Sequence, residues 1–237
     1  MLEMKPDDLV LGGITPFSTL DFPGRLSAVL YTQGCSLRCR YCHNPNLRTG
    51  RTAASLAWPD VHAWLQRRRG LLDGVVFSGG EATEQPALLA ALREVRSLGF
   101  ATALHTAGPH ADRFHPLLPH LDWVGMDIKA PFHRYAQVTG VPDSGEQARQ
   151  SLHWLLSSGI AYELRTTVHH LLLSCEDLLC MAKDLHSYGI RRWILQEFRT
   201  RGCVDAVLSK TPSPLDMDCI EQMKTWVPDI SFRAVQS

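Results

Sequence analysis

Apolar segments rich in β-branched and aromatic residues recur along the chain: "LSAVLYT" (26–32), "GVVFSG" (74–79), "FATALHT" (100–106), "WVGMDIK" (123–129), "YELRTTV" (162–168) and "RWILQEF" (192–198). Their near-continuous apolar character predicts strands covered on both faces. Between them, apolar residues repeat at helical spacing. "QPALLAALREVRSLG" stops at Gly99, "GEQARQSLHWLLSSG" stops at Gly159, and "SCEDLLCMAKDLHSYG" runs from a Ser174 cap to Gly189. Glycine past a helix end accepts the left-handed conformation, and serine satisfies free amides at a helix start. "WPDVHAWLQ" reads as a further helix. Strand and helix in alternation predict βαβ units on a parallel sheet. A closed eightfold barrel needs about 250 residues and eight strands. Six strands in 237 residues instead predict an α/β fold of the partial (β/α)6 barrel type, laterally open with parallel strands, ahead of a doubly wound sheet. In either fold, ligands lie beyond the carboxyl ends of the strands, so polar residues after each strand are site candidates. One domain is expected over 1–237, with an N-terminal extension at 1–25, the barrel core at 26–200 and a C-terminal segment at 201–237.

Acidic and basic residues balance, 24 against 24, so no electrostatic footprint for nucleic acid follows. Arg67-Arg68-Arg69 adjoins a predicted helix and reads as a solvated helix end. No apolar run is long enough to span a bilayer. "MLEMKPDDLVLGG" lacks the apolar core and small-residue cleavage site of a secretory signal. A cytoplasmic protein without membrane association is expected. In that compartment disulfides are rare and clustered cysteines bind metal or react. The cysteine count, seven, is odd, which argues against a fully paired framework.

The loop after the first strand reads "QGCSLRCRYCHNPN" and carries Cys35, Cys39 and Cys42. Cys39 to His43 also spells C-x-x-C-H, the attachment motif of a c-type haem. That reading needs an export signal and leaves Cys35 without a role. A structural zinc site wants four protein ligands, and His43, adjacent to Cys42, is poorly placed to complete one tetrahedron with it. The remaining reading is an iron–sulfur cluster. A [4Fe–4S] cube ordinarily takes four thiolates, so three leave one iron open to a small molecule. Cys175, Cys180, Cys203 and Cys219 show no local pattern, and no second cluster motif is present.

C-x-x-x-C-x-aromatic-C, here "CSLRCRYC" with Tyr41 as the aromatic residue, resembles the signature of the radical S-adenosylmethionine (SAM) superfamily. The segment "GGITPFSTLDFPGRLSAVLYTQGCSLRCRYCHNPNL" is similar to glycyl-radical-enzyme activating proteins. Through "LDFPG" and "CHNP" it most resembles the activating proteins of anaerobic ribonucleoside-triphosphate reductase. This resemblance implies a [4Fe–4S] cluster on Cys35, Cys39 and Cys42, with SAM on the open iron and flavodoxin or ferredoxin as electron donor. It implies hydrogen abstraction from a glycine of a partner enzyme, whose loop would enter through the lateral gap. The alternatives are an activase of another glycyl radical enzyme of the pyruvate formate-lyase type, a small-molecule or peptide-modifying radical enzyme, and a non-catalytic iron–sulfur or zinc binding protein.

The resemblance also assigns roles at the other strand ends. Gly79, Gly80 and Glu81 would meet the methionine amino group of SAM, the glycines permitting close backbone approach and Glu81 accepting from the ammonium. Relatives usually carry proline where this chain has Ala82. His105 stands in "HTAG", where relatives often show Asp-Thr-Asn-Gly, and is a candidate SAM contact beside an alternative role as a satisfied edge histidine. Asp127 and Lys129 alternate along their strand and so face one side. Lys129 is expected to answer the SAM carboxylate and Asp127 its amine or a substrate group, with a buried ion pair as the alternative. Arg165, inside a strand, needs a partner, either a ligand carboxylate or Glu163. Tyr41 is expected on the adenine side. Gln196 and Phe198 are expected at the rim, whereas His169 and His170 are expected in a loop.

Overall fold

The computed structural model describes residues 4–52, 55–214 and 216–234. One 8-stranded sheet runs in chain order through β1 (Leu11–Ser18), β2 (Ser27–Thr32), β3 (Gly74–Gly79), β4 (Ala101–Thr106), β5 (Trp123–Asp127), β6 (Ala161–Val168), β7 (Arg192–Glu197) and β8 (Asp229–Arg233). β1 pairs antiparallel with β2, and every later neighbour is parallel. Among the described residues no pairing joins β1 to β8, so the sheet stays open. The helices are α1 (Trp58–Gln66), α2 (Leu88–Ser97), α3 (Ala111–Phe114), α4 (Tyr135–Thr139), α5 (Ser144–Ser158), α6 (Cys175–Ser187), α7 (Ala206–Lys210) and α8 (Met217–Lys224). Among the described residues no helix is long and apolar enough to cross a membrane.

The expected strands correspond to β2 through β7. The N-terminal extension and the C-terminal segment each add a strand that the apolar pattern missed. β1 contains Gly12, Gly13 and Pro16 and carries register shifts against β2. Those features belong to an edge strand, where proline and bulges limit further pairing. β8, "DISFR", is short, and only Ile230 in it is buried.

Side chains alternate across the sheet. Leu30, Phe77, Leu104 and Val124 join the main core with Trp58, Leu88 and Leu92 of the helices. Val29, Val76, Ala103 and Trp123 lie in register on neighbouring strands and form a second cluster with Phe22. Phe22 belongs to "LDFPG", and its ring stacks on Trp123 at 6.0 Å. Two residues further along the strands come Tyr31, Ser78 and His105. This face therefore turns from apolar to polar within one alternation, at the carboxyl ends where a site was expected.

Candidate functional site

The cysteine loop is fixed by its backbone. Gly34 N–H donates to Leu47 O at 2.7 Å, and Cys35 N–H donates to Arg48 O at 3.2 Å. Gly34 has φ +97°, a conformation that suits glycine. Arg38 donates from Nη1 to the carbonyls of Cys35 at 2.8 Å and Ser36 at 3.1 Å, while its backbone N–H reaches Thr139 O at 2.6 Å. Cys35, Cys39 and Cys42 are free and partly exposed. They face one cavity of about 690 Å³, which Tyr41, Gly79, Gly80, Glu81, His105, Asp127, Lys129 and Arg165 also line. These eight residues thus meet the cysteines in one place.

Within that cavity each of these residues also makes contacts inside the protein. Gly79 has φ +122°, and a Cβ there would stand 2.3 Å from the Thr32 backbone. Gly80 presses on Gly34 and Leu47. Both glycines are needed for close packing of the protein backbone, and both line the cavity. Glu81 is 3% exposed. Its Oε1 accepts from Thr83 N at 3.1 Å, Thr83 Oγ1 at 2.7 Å and Thr106 Oγ1 at 2.6 Å, and its Oε2 accepts from Ala107 N at 2.9 Å. Glu81 thus ties the β3 turn to the β4 turn mainly through Oε1, while Oε2, with one partner, keeps a lone-pair site.

Asp127 bridges two cations. Its Oδ1 accepts from Arg165 Nε at 2.9 Å, and its Oδ2 lies 3.5 Å from Lys129 Nζ. Burial works to raise the Asp127 carboxyl, but Arg165 and then Lys129 hold it below its ordinary value. Glu163, the alternative partner for Arg165, instead pairs with Arg233 at 3.0 Å. β5 ends at Asp127, two residues short of the expected strand, and Lys129 N–H donates to Tyr135 Oη at 3.0 Å. The Lys129 ammonium sits 5.3 Å from the Tyr41 ring centroid, a cation–π arrangement.

His105 Nε2 stands 2.9 Å from Asp21 O. A carbonyl only accepts, so Nε2 carries the proton. Burial, followed by Arg165, pushes this imidazole down to about 4, so it is neutral at neutral pH. It anchors "LDFPG" to β4 while facing the cavity. Gln196 lines the cavity, but Phe198 is buried against His169 at 5.0 Å and His43 at 5.7 Å and belongs to the core. His169 and His170 lie in a loop, as expected. Sequence reasoning missed Glu84 and Gln85, which secure the loop from outside the motif, and Arg38, which secures it from within.

Burial pushes the Cys35 thiol up to about 12 and raises Cys39 as well. The bare Cys35 and Cys39 thiols stay protonated, and bound metal is what deprotonates such ligands. Among the described residues no group of three His, Cys, Asp or Glu side chains is arranged to hold a metal ion. Three thiols around a cavity this large suit a polynuclear cluster better than a single ion. The missing fourth thiolate, the cations Lys129 and Arg165 and the carboxylate Asp127 suit a zwitterionic ligand beside it.

The Radical SAM superfamily model matches residues 29–189. A putative glycyl-radical enzyme activating enzyme of Methanocaldococcus jannaschii is 25% identical over 240 residues, covering 95% of this chain and 96% of its own length. The pyruvate formate-lyase-activating enzyme of Clostridium pasteurianum is 36% identical over 129 residues, covering 51% of this chain and 54% of that one. Streptococcus suis SuiB bound to S-adenosylmethionine superposes with a TM-score of 0.62 at 13% identity, over 88% of this chain. The chain spans 50% of the SuiB chain, and this likeness shows the fold alone. The cofactors of the matched superfamily are a [4Fe–4S] cluster and SAM. From the match over 29–189, the chain belongs to the radical SAM superfamily.

Proposed function

We propose that this protein activates a glycyl radical enzyme. The observation that carries the reading is the near full-length similarity to the Methanocaldococcus protein, 95% of this chain, together with a cavity that joins three free thiols to a fixed cation–carboxylate group. Cys35, Cys39 and Cys42 would hold the cluster. Lys129 would receive the SAM carboxylate, Asp127 and the free capacity of Glu81 would receive its ammonium, and Tyr41 would flank the adenine. When bound, cluster and SAM together supply an adenosyl radical that takes a hydrogen atom from a glycine. The chain's own contribution is placement and exclusion of water. Arg165 fixes Asp127, and the Phe22 layer packs one alternation before the cavity-lining residues Tyr31, Ser78 and His105. The gap between β1 and β8, which no pairing joins among the described residues, would admit a partner loop.

Two partner types divide this reading. "LDFPG" and "CHNP" suggest anaerobic ribonucleoside-triphosphate reductase. The similarity to the clostridial pyruvate formate-lyase-activating enzyme favours a lyase, with flavodoxin or ferredoxin as donor in either case. Anaerobic reconstitution, dithionite and SAM should yield 5′-deoxyadenosine. A protein with a full iron complement that makes none would refute the enzyme reading. Cys39→Ala should lose iron and cleavage together. Adding each candidate partner and recording electron paramagnetic resonance (EPR) should show a glycyl radical with one of them.

A further inference from the structure

The turn after β3 grips the cysteine loop nearly residue by residue. Gln85 Nε2 donates to Gln33 O. Glu81 N–H donates to Gly34 O at 2.8 Å. Ser36 N–H donates to Glu84 Oε1 at 2.7 Å. Glu84 is held in turn, because His110 Nε2 lies 2.9 Å from the same Oε1 and Arg113 Nη1 donates to the Glu84 carbonyl at 3.2 Å. The dyad is largely sheltered, with Glu84 and His110 side chains 20% and 24% exposed. The His110 ring beside it, and then the hydrogen bond from Ser36, lower the Glu84 carboxyl to about 2, while Glu84 raises His110. Facing His110 are Glu84 and Glu81 from this turn and Arg113 from α3.

The role of Ser36 follows from its place in the chain. Its amide follows Cys35 directly, and amides beside a ligating cysteine commonly donate to cluster sulfurs, which raises the cluster's potential. Here that amide is committed to a carboxylate. The capture removes a donor from the cluster's surroundings and adds a negative charge beside them, and both effects favour the oxidised cluster. His110 carries the opposing charge.

We propose that Glu84 and His110 are positioning residues that set the placement of Cys35 and the reduction potential of the cluster it holds. This rests on the reading of Cys35, Cys39 and Cys42 as cluster ligands. Glu84→Gln keeps an acceptor for Ser36 N–H and removes the charge, Glu84→Ala removes both, and His110→Ala removes the opposing cation. The full chain and these variants should be reconstituted anaerobically, assayed for iron and sulfide, and titrated reductively with EPR detection at pH 6.5, the ordinary midpoint of histidine and below the raised one of His110. The expected order of potentials, from most negative, is His110→Ala, wild type, Glu84→Gln, Glu84→Ala. Glu84→Gln should also keep the wild-type EPR line shape, and Glu84→Ala should change it. General loosening of the loop would move all variants in one direction. Coincident potentials, or shifts of one sign, in proteins with equal iron content overturn the proposal. A wild-type protein that takes up no iron overturns the cluster reading itself.

Discussion

Gly80 lies against Gly34 so closely that a Cβ on Gly80 would stand 2.3 Å from the Gly34 carbonyl oxygen. The β3 turn and the cysteine loop are therefore joined backbone to backbone, and neither can shift alone. Gly80→Ala should destabilise the fold by about 2–4 kcal/mol, because a backbone atom cannot yield as a side-chain end can. Gly99 is the control. It has φ +91° but open space around its Cβ direction, so Gly99→Ala should cost only the left-handed strain, about 1 kcal/mol. Urea unfolding compares the two, and equal losses would show that the contact with Gly34 does not matter.

Among the described residues, Asp127 is the only anion paired with both Arg165 and Lys129. Arg165 is 6% exposed, so removing its partner strands a buried charge. Asp127→Ala should cost about 2–3 kcal/mol, toward the low side for a buried pair because the Asp127 side chain is 31% exposed. The double variant Asp127→Ala, Arg165→Met should recover part of that loss. Additive losses in the double-mutant cycle would mean the two side chains are not coupled.

The Glu84–His110 dyad gives the stability a pH signature. Glu84 is depressed from its ordinary 4.5 to about 2. Its contribution is full above 4.5 and is lost as pH falls through the lower value. His110 is raised above its ordinary 6.5, so its contribution is full below 6.5 and is lost as pH rises through the raised value. The dyad therefore stabilises most between about pH 4.5 and 6.5. The difference in melting temperature between wild type and His110→Gln should be largest there and shrink on both sides. A difference that is flat with pH would exclude the ion pair.

Much of this site is legible in the sequence because its parts sit at strand ends, and strand ends follow from apolar runs. Cys35, Glu81, His105, Asp127 and Arg165 come together because parallel strands in chain order bring successive carboxyl ends side by side. Partnerships are less legible, because they depend on side-chain direction and tertiary approach. The strand pattern offered Glu163 to Arg165, but Asp127 on the neighbouring strand lies directly opposite in register and takes it. Glu81 was read only as a ligand acceptor, and the Thr83 and Thr106 hydroxyls it also holds are set by two separate turns. "LDFPG" carried family resemblance without a physical reason until Phe22 was found stacked on Trp123.

The odd cysteine count argued against a fully paired framework, and five cysteines are indeed free, while Cys175 and Cys219 form a disulfide with Cα atoms 5.7 Å apart. Neither segment signals this alone. Cys175 opens α6, Cys219 lies in the first turn of α8, and the pairing arises because those helices pack on each other. The bond closes a loop with a sequence separation of 44, and chain-entropy reasoning sets its contribution at about 4 kcal/mol at most. Cys219 is 1% exposed, so Cys219→Ala keeps a small apolar group in the core and removes the link. That variant, Cys175→Ala and the double variant should lose similar stability in urea, because each removes the same crosslink. TCEP should lower the wild-type midpoint toward theirs and leave the variants unmoved. The three cluster-loop cysteines lie outside the bonded pair, so iron uptake by the variants should match wild type. A wild-type midpoint indifferent to TCEP would show that the crosslink contributes nothing to the folded chain.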